Sequence, residues 1–319
     1  MRSWIDHGGD VMEEPSPSLI ADLVQAGQPF WLDIENPTDE VIDRLAARLG
    51  LHPLAVEDSK QFGQRGKLKV YGNVAMIVGL GLDAQLREPV EVHCYYTTGF
   101  LITMRRAPCP ALADLHREAS VGPLLEHGDP IRALHYLVTA LHAPFATLVL
   151  MLDQRLDELE QRVLREADDQ DLADITAIRH QAAVIRQTLR PGREAVARMS
   201  LIIALPGATS DSQLYVEDIN DEVQRIVADL TAIEERCLNL MGLHASLAGN
   251  HLAVVSRRLA AVATIFLPIS FLAGFWGENF NVLTGDVEKG WAAFLILGVG
   301  LNAACVAVTV FILSRRRWN

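Results

Sequence analysis

The pattern of apolar and polar positions changes character several times along the chain. Between about residues 28 and 105 it reads as mixed α/β. Pro29-Phe-Trp-Leu-Asp-Ile34 is a short apolar run closed by Glu35-Asn36-Pro37, which predicts a strand and a turn. Thr38 then stands as an N-cap before Val41, Ile42, Leu45 and Leu49 at helical spacing, with Gly50 as the stop. Lys69–Leu82 and Val90–Met104 are rich in Val, Ile, Tyr and Thr and predict strands. Beyond Pro110 no stretch reads as strand. Helical patterns run over about 130–166 and 170–204, parted at Asp168-Asp169, and Pro144 predicts a kink or break in the first of them.

After Leu205-Pro-Gly-Ala-Thr-Ser-Asp211, Pro268 is the one proline before Trp276. One helix of about 65 residues is therefore predicted, roughly 95 Å long at about 1.5 Å per residue, which is too long for a compact domain. Its apolar positions Val216, Ile219, Val223, Ile226, Leu230, Ile233, Cys237 and Leu240 step alternately by three and four, a heptad seam. Such a seam predicts a stalk packed against copies of itself or against the preceding helices. The helix then runs into 19 residues without a charge, Leu259 to Gly277, and another 23 follow from Trp291 to Leu313. A bilayer core takes roughly 20 apolar helical residues, so both segments are long enough to span, which argues against a purely soluble protein. The division expected is a cytosolic α/β domain over residues 1–120, a cytosolic helical domain and stalk over 121–258, and a transmembrane domain over 259–319.

Charge divides at the same place. The net charge is −12. Four basic and three acidic residues lie beyond Arg258, so the first 258 residues hold 24 Lys and Arg against 37 Asp and Glu, a net of −13. An acidic body excludes a nucleic-acid partner, whose phosphates demand a basic face. Arg257-Arg258 precede the first span and Arg315-Arg316-Arg317 follow the second, whereas the connection Glu278–Gly290 holds one Lys and three carboxylates. The positive-inside rule then puts both termini in the cytosol and the connection outside. MRSWIDHGGD contains no apolar run like that of a signal peptide. Cys94, Cys109, Cys237 and Cys305 have no CxxC spacing, so neither a disulfide framework nor a thiolate zinc site is expected. No nucleophile elbow, phosphate loop, HExxH or dinucleotide fingerprint occurs, which argues against an enzyme and leaves no catalytic residue to name. Two spans enclose no aqueous path in one chain, so transport would require an oligomer.

At this point the chain resembles the CorA-type divalent cation transporters, which include the ZntB zinc transporters. The likeness runs through Trp31-Leu-Asp-Ile-Glu-Asn-Pro-Thr-Asp-Glu40, Leu51-His-Pro-Leu-Ala-Val-Glu-Asp58, Gln64-Arg-Gly-Lys-Leu-Lys69 and Gly99-Phe-Leu-Ile-Thr-Met-Arg105. It is strongest at Ala263-Thr-Ile-Phe-Leu-Pro-Ile-Ser-Phe-Leu-Ala-Gly274 with Gly277-Glu278-Asn279-Phe280, and it ends on a basic tail closed by Trp318. The family signature at this place is Gly-Met-Asn, or Gly-Val/Ile-Asn in ZntB-like members, so the carboxylate of Glu278 is a departure. The resemblance implies a funnel-shaped homopentamer in an inner (plasma) membrane, with the first span lining a central pore, and a cytosolic domain whose interfaces sense metal. It implies no resident cofactor beyond the divalent cation moved or sensed.

Counting along the first span by threes and fours gives Ser256, Leu259, Ala263, Leu267, Ser270, Gly274 and Gly277, a stripe of mostly small residues. Small residues on one face suit helix packing as well as a pore. With the resemblance, rings of Leu259 and Leu267 become a candidate hydrophobic gate, and Ser270 offers hydroxyls to a hydrated ion. Asn279 reads either as a ring of amide carbonyls holding the water shell of Mg2+, or as a helix C-terminal cap after Gly277. The motif favours the first. Glu278 reads as a solvated charge, as a concentrator of cations, or as a titrating ring that couples ions to protons. Asp286 and Glu288 form an outer electrostatic funnel, opposed by Lys289.

At the start of the stalk, Glu217, Asp218, Asp221, Glu222 and Asp229 are acidic beside the seam. The resemblance places interfacial carboxylates that bind Mg2+ and hold the pore closed in this region, and the ungapped count back from Pro268 picks Asp218. His244 and His251, seven residues apart, read as packed interface residues or as a ring for a softer ion such as Zn2+ or Ni2+. Asn302 in the second span reads as an interhelical hydrogen-bonding residue. The expected function is potential-driven passage of a divalent cation, Mg2+ first with Co2+ or Ni2+ as surrogates. The alternatives are ZntB-like zinc movement coupled to protons and a non-conducting membrane sensor or scaffold.

Overall fold

The computed structural model describes residues 1–64, 66–165, 168–201, 205–207, 212–276 and 291–315, in two units, Met1–Gly242 and Leu243–Asn319. The first unit is built on a sheet of β1 (Arg2–His7), β2 (Asp10–Glu13), β3 (Phe30–Glu35), β4 (Lys67–Tyr71), β5 (Val74–Leu82), β6 (Pro89–Tyr96) and β7 (Phe100–Arg105). The strand order is β2-β1-β3-β7-β6-β5-β4. At its centre β3 and β7 pair in parallel, with Leu32 beside Ile102 and Asp33 beside Thr103. The other neighbours pair antiparallel.

Helices cover both faces, which is why Phe30-Trp-Leu-Asp-Ile34 is buried throughout and does not alternate with polar residues. Phe30, Leu32 and Ile34 pack with Ile20 and Leu23 of α1 (Pro17–Ala26), Ile42 and Leu45 of α2 (Asp39–Leu49) and Ala55 of α3 (Pro53–Lys60). Trp31 belongs to the other face, with Leu112 and Leu115 of α4 (Pro110–Glu118), Val121 of α5 (Val121–Glu126), and Leu134, Leu137 and Leu141 of α6 (Pro130–Arg165). α2 starts and stops where the sequence predicts. Gly50 closes it at φ 65°, and its N–H is donated to the Ala46 carbonyl. Thr38 sits at the N-cap, but its side chain makes no capping bond. Asp39 and Glu40 in the first turn favour the positive end of the helix dipole instead.

The rest of the first unit is helical. α6 runs unbroken through Pro144. Leu137, Leu141 and Phe145 are buried on either side of that ring and hold the helix together across the missing N–H. α7 spans Asp169–Leu201 and α8 spans Ser212–Trp276, the 65-residue helix that the sequence predicts. All eight seam positions of α8, Val216 to Leu240, are buried within the single chain. The preceding helices therefore cover the seam, and no second copy is needed for that. Leu148, Leu152, Leu156 and Leu159 of α6 and Ile175, Ile178, Ile185 and Leu189 of α7 are buried with them. His135 of α6 pairs with Asp218 of α8, and further along Asp153 and Asp157 pair with Arg236, so α6 and α8 run parallel. The guanidinium of Arg186 on α7 binds Glu234 of α8 through two nitrogens.

The second unit holds the end of α8, then α9 (Trp291–Ala293), a π-helical stretch Phe294–Gly300 and α10 (Leu301–Arg315). The π turns are wider than α turns and coincide with Gly298 and Gly300, where no side chain crowds the backbone. Nothing in the sequence pattern of this span predicts them.

Candidate functional site

Ser256, Leu259, Ala263, Leu267, Ser270 and Gly274 all lie on α8, on one face by their spacing, and all are exposed in the single chain. Leu259 and Leu267 are 65% and 70% exposed. The most apolar stretch of α8 is wholly unburied, whereas α6, which is also long and apolar enough to span, has a third of its apolar stretch buried. The apolar residues of α6 face β5 and the helices α4 and α5, so that helix belongs to the packed first unit. Exposed Phe266, Phe271 and Phe275 belong to α8 in the same region, the last two with ring centroids 6.3 Å apart. The Thr264 hydroxyl donates to the Ala260 carbonyl at 2.7 Å and so satisfies itself within the helix, as an apolar surround requires. Pro268 lies inside the helix and leaves the Thr264 carbonyl without its usual donor. The motif Gly277, Glu278 and Asn279 and the carboxylates Asp286 and Glu288 lie outside the described residues.

The acidic start of α8 is organised by histidines of α6 that the sequence reading did not select. Asp218 has a side chain 68% exposed and is bound by His135 Nε2 at 2.7 Å. The His135 ring stands 5.2 Å from that of Tyr215. One turn on, Glu222 is more enclosed and faces the buried His142. Burial pushes the Glu222 carboxyl above its ordinary value, and the Asp218 charge adds to this, while Arg225 and His135 act the other way. His135 and His142 are seven residues apart on α6, and that heptad spacing is the signal the sequence does carry for them. Among the described residues no group of three or more His, Cys, Asp or Glu is placed to hold a metal ion. Asp218 thus presents one outward carboxylate, and a cation site there would need ligands from elsewhere, such as a neighbouring copy. His244 is buried at the end of the seam and His251, one heptad on, is exposed.

Sequence reasoning also missed a buried ionic cluster in the α/β layer. Asp33 is fully enclosed, with Arg105, His116 and Thr103 around it. The Thr103 hydroxyl donates to Asp33 Oδ1 at 2.6 Å and accepts from Trp31 Nε1 at 3.1 Å. The His116 ring stacks on Trp31 at 4.0 Å. Burial alone would raise the Asp33 carboxyl, but the hydrogen bond from His116, the charges of Arg105 and His116 and the Thr103 hydroxyl together hold it below the ordinary carboxylate value. The cluster is sealed from solvent and anchors the sheet. It is not a ligand site.

The family described as CorA-like Mg2+ transporter protein matches residues 26–316. The chain is 24% identical over 297 residues to the cobalt/magnesium transport protein CorA of Thermotoga maritima, covering 91% of this chain and 83% of that protein. It is also 24% identical over 313 residues to the zinc transport protein ZntB of Pectobacterium atrosepticum, covering 93% and 90%. The complete structure of the CorA magnesium transporter from Methanocaldococcus jannaschii superposes with a TM-score of 0.81 at 17% identity, covering 99% of this chain and 98% of that one. That structure shares both the α/β layer and the long helices, which shows the fold. The match across nearly the whole length, with the exposed apolar end of α8, makes this a membrane-spanning divalent cation transporter, without enzymatic activity, belonging to the family of CorA-like Mg2+ transporter proteins.

Proposed function

We propose that the chain conducts Mg2+ through a central pore formed by five copies of α8, in an inner or plasma membrane with both termini in the cytosol. The observation that carries this reading is the face Ser256, Leu259, Ala263, Leu267, Ser270 and Gly274, exposed on a helix whose preceding seam is buried within its own chain. A helix exposed on an apolar stretch needs lipid or other copies around it. Small residues and two hydroxyls on one face suit a narrow wet path. Leu259 and Leu267 form the narrow apolar gate, which closes by excluding water. At the outer end, Asn279 rings hold the water shell of the ion, since Mg2+ keeps its waters. Asp286 and Glu288 raise the local cation concentration, and Co2+ or Ni2+ pass as surrogates. The membrane potential drives entry with about 4.6 kcal/mol per 100 mV for a divalent ion, twice the roughly 2.3 kcal/mol of a single charge. Asp218 joins carboxylates of an adjacent copy to bind a regulatory cation.

One feature favours a second reading. Glu278 stands where a ring of carboxylates would repel one another and so take up protons more readily than a lone carboxylate, which suits zinc transport coupled to protons. Uptake into proteoliposomes at fixed potential, with Mg2+ and Zn2+ each tested with and without a pH gradient, separates the two. Mg2+ entry indifferent to the gradient supports the channel, and Zn2+ entry that follows it supports coupling. Under coupling, Glu278→Gln removes the pH dependence. An Asn279→Ala variant that keeps full biological activity would show that conduction is not the function and leave a sensor or scaffold.

A further inference from the structure

Where α6 meets α8, one titratable side chain is buried with a ring nitrogen left unbonded. His142 is 6% exposed and its Nδ1 makes no hydrogen bond. The facing acid is Glu222 of α8, with Oε2 4.0 Å away, beyond hydrogen-bonding distance. Beside the ring lies a partly open pocket with about 70 Å3 of space, lined by Leu134, Leu141, Leu189, Ile219, Val223 and the backbone of Gly79. One water needs roughly 10–15 Å3 of such space, so there is room for several. Burial depresses the His142 imidazole from 6.5 to about 4.

The charges around the ring are few. On α6 itself the other histidine, His135, is held by Asp218. α8 presents Asp218, Glu222 and Arg225. β4 presents Lys67 at the cavity wall, its ammonium 2.6 Å from Asp58. α7 contributes Leu189 and Gly192 and β5 contributes Ile77 to Leu80, all uncharged. A metal ion would require four or more ligands, whereas two donors and an aliphatic wall suit a proton and water.

We infer that His142 is an acid-opened joint between α6 and α8, in which a proton on Nδ1, too far from Glu222 to bond it directly, is solvated by water drawn in between the two side chains from the adjoining pocket, which loosens the packing of α8. The closed form resists the proton and the hydrated form accepts it at the ordinary value. Acid therefore raises the ratio of loosened to closed joint by about 300-fold in total, most of it between about pH 6.5 and pH 4. α8 continues to Trp276, so the joint acts on the helix that carries the pore face. The joint stands on packing within the first unit, and only its effect on transport rests on the pore reading.

Hydrogen–deuterium exchange of the full-length protein in detergent, corrected for intrinsic rates, tests this over peptides 134–145 and 216–226. Wild type is expected to lose protection there as pH falls from about 7.5 to 4, and His142→Gln to keep it. His142→Leu, which matches the aliphatic wall, is a second non-titrating variant should the first misfold. The exchange rate of the imidazole carbon-bound hydrogen reads His142 in the wild type, with an expected midpoint near 4. An ordinary midpoint, an acid loss shared by wild type and variants, or no acid loss in wild type overturns the joint. Protection by micromolar Zn2+ at neutral pH in wild type and not in His142→Gln would also overturn it, in favour of a metal site. None of these readouts involves transport, so they stand or fall separately from the pore.

Discussion

Replacing Asp33 by Asn tests whether the sealed ionic cluster holds the sheet together. Asp33 and Arg105 are 0% and 2% exposed, so the substitution leaves a guanidinium charge enclosed, with Glu35 at 3.2 Å as its one remaining acid. Removing one partner of a buried pair costs about 3–5 kcal/mol, because the other charge stays desolvated. For a unit of this size each kcal/mol moves the unfolding midpoint by about 2–4 °C, which gives a fall of roughly 6–20 °C. Thermal unfolding in detergent, followed by far-UV circular dichroism, reads it. The pH dependence has a definite sign. The folded carboxyl sits below its ordinary value, so its stabilisation is present above about pH 4 and drains away as pH falls through the folded value. The Asp33→Asn variant lacks that acid loss. The double variant Asp33→Leu, Arg105→Met removes both charges, and its cost should be well below the sum of the two single costs. A loss under about 1 kcal/mol for Asp33→Asn, or strict additivity in the double variant, would refute the reasoning.

Two contrasts extend the same logic. A Cβ on Gly66 would come within 2.7 Å of Gly192 Cα and 2.8 Å of its nitrogen, a clash with backbone. Gly66→Ala should therefore cost about 1–3 kcal/mol by wedging α7 from β4. A Cβ on Gly192 meets nothing within 4 Å, so Gly192→Ala should gain about 0.5–1 kcal/mol of helix propensity. Equal effects in thermal unfolding would refute the close approach. Arg236 binds Asp157 at 2.6 Å and also Asp153 and Glu160, but these carboxylates are 48–59% exposed. Arg236→Gln should cost under about 1 kcal/mol at low salt and nothing measurable near 1 M salt. A loss that persists in high salt would mean that Arg236 and these carboxylates are shielded from solvent.

How much was legible follows from where each signal is stored. The α8 seam could be read residue by residue because a heptad is a local pattern, and all eight positions are buried as the period requires. Whether copies or the preceding helices cover the seam is not written in the sequence, since period alone says that a face is buried and not against what. Asp33 shows the opposite case. In the sequence it is a charge inside an apolar strand, and its partners Arg105 and His116 lie over 70 residues away, joined to it by the parallel pairing of β3 with β7 and by α4. β1 and β2 have no periodic signal, because β2 is exposed at every position and β1 is buried chiefly at Ile5 and Asp6, whereas α1 does carry one in Ser16, Pro17, Ile20, Leu23 and Gly27. Gly277, Glu278 and Asn279 are legible as a candidate motif through resemblance alone, since three residues have no period. The consequence for mechanism is that α8 carries two kinds of information in one helix. Its first half is specified by packing inside the chain, with Glu222 and His142 set into that packing. Its second half is exposed along its apolar stretch, with none of that stretch buried against the described residues. α8 is continuous from the buried half to the exposed half, with no proline between Ser212 and Pro268 to interrupt its backbone.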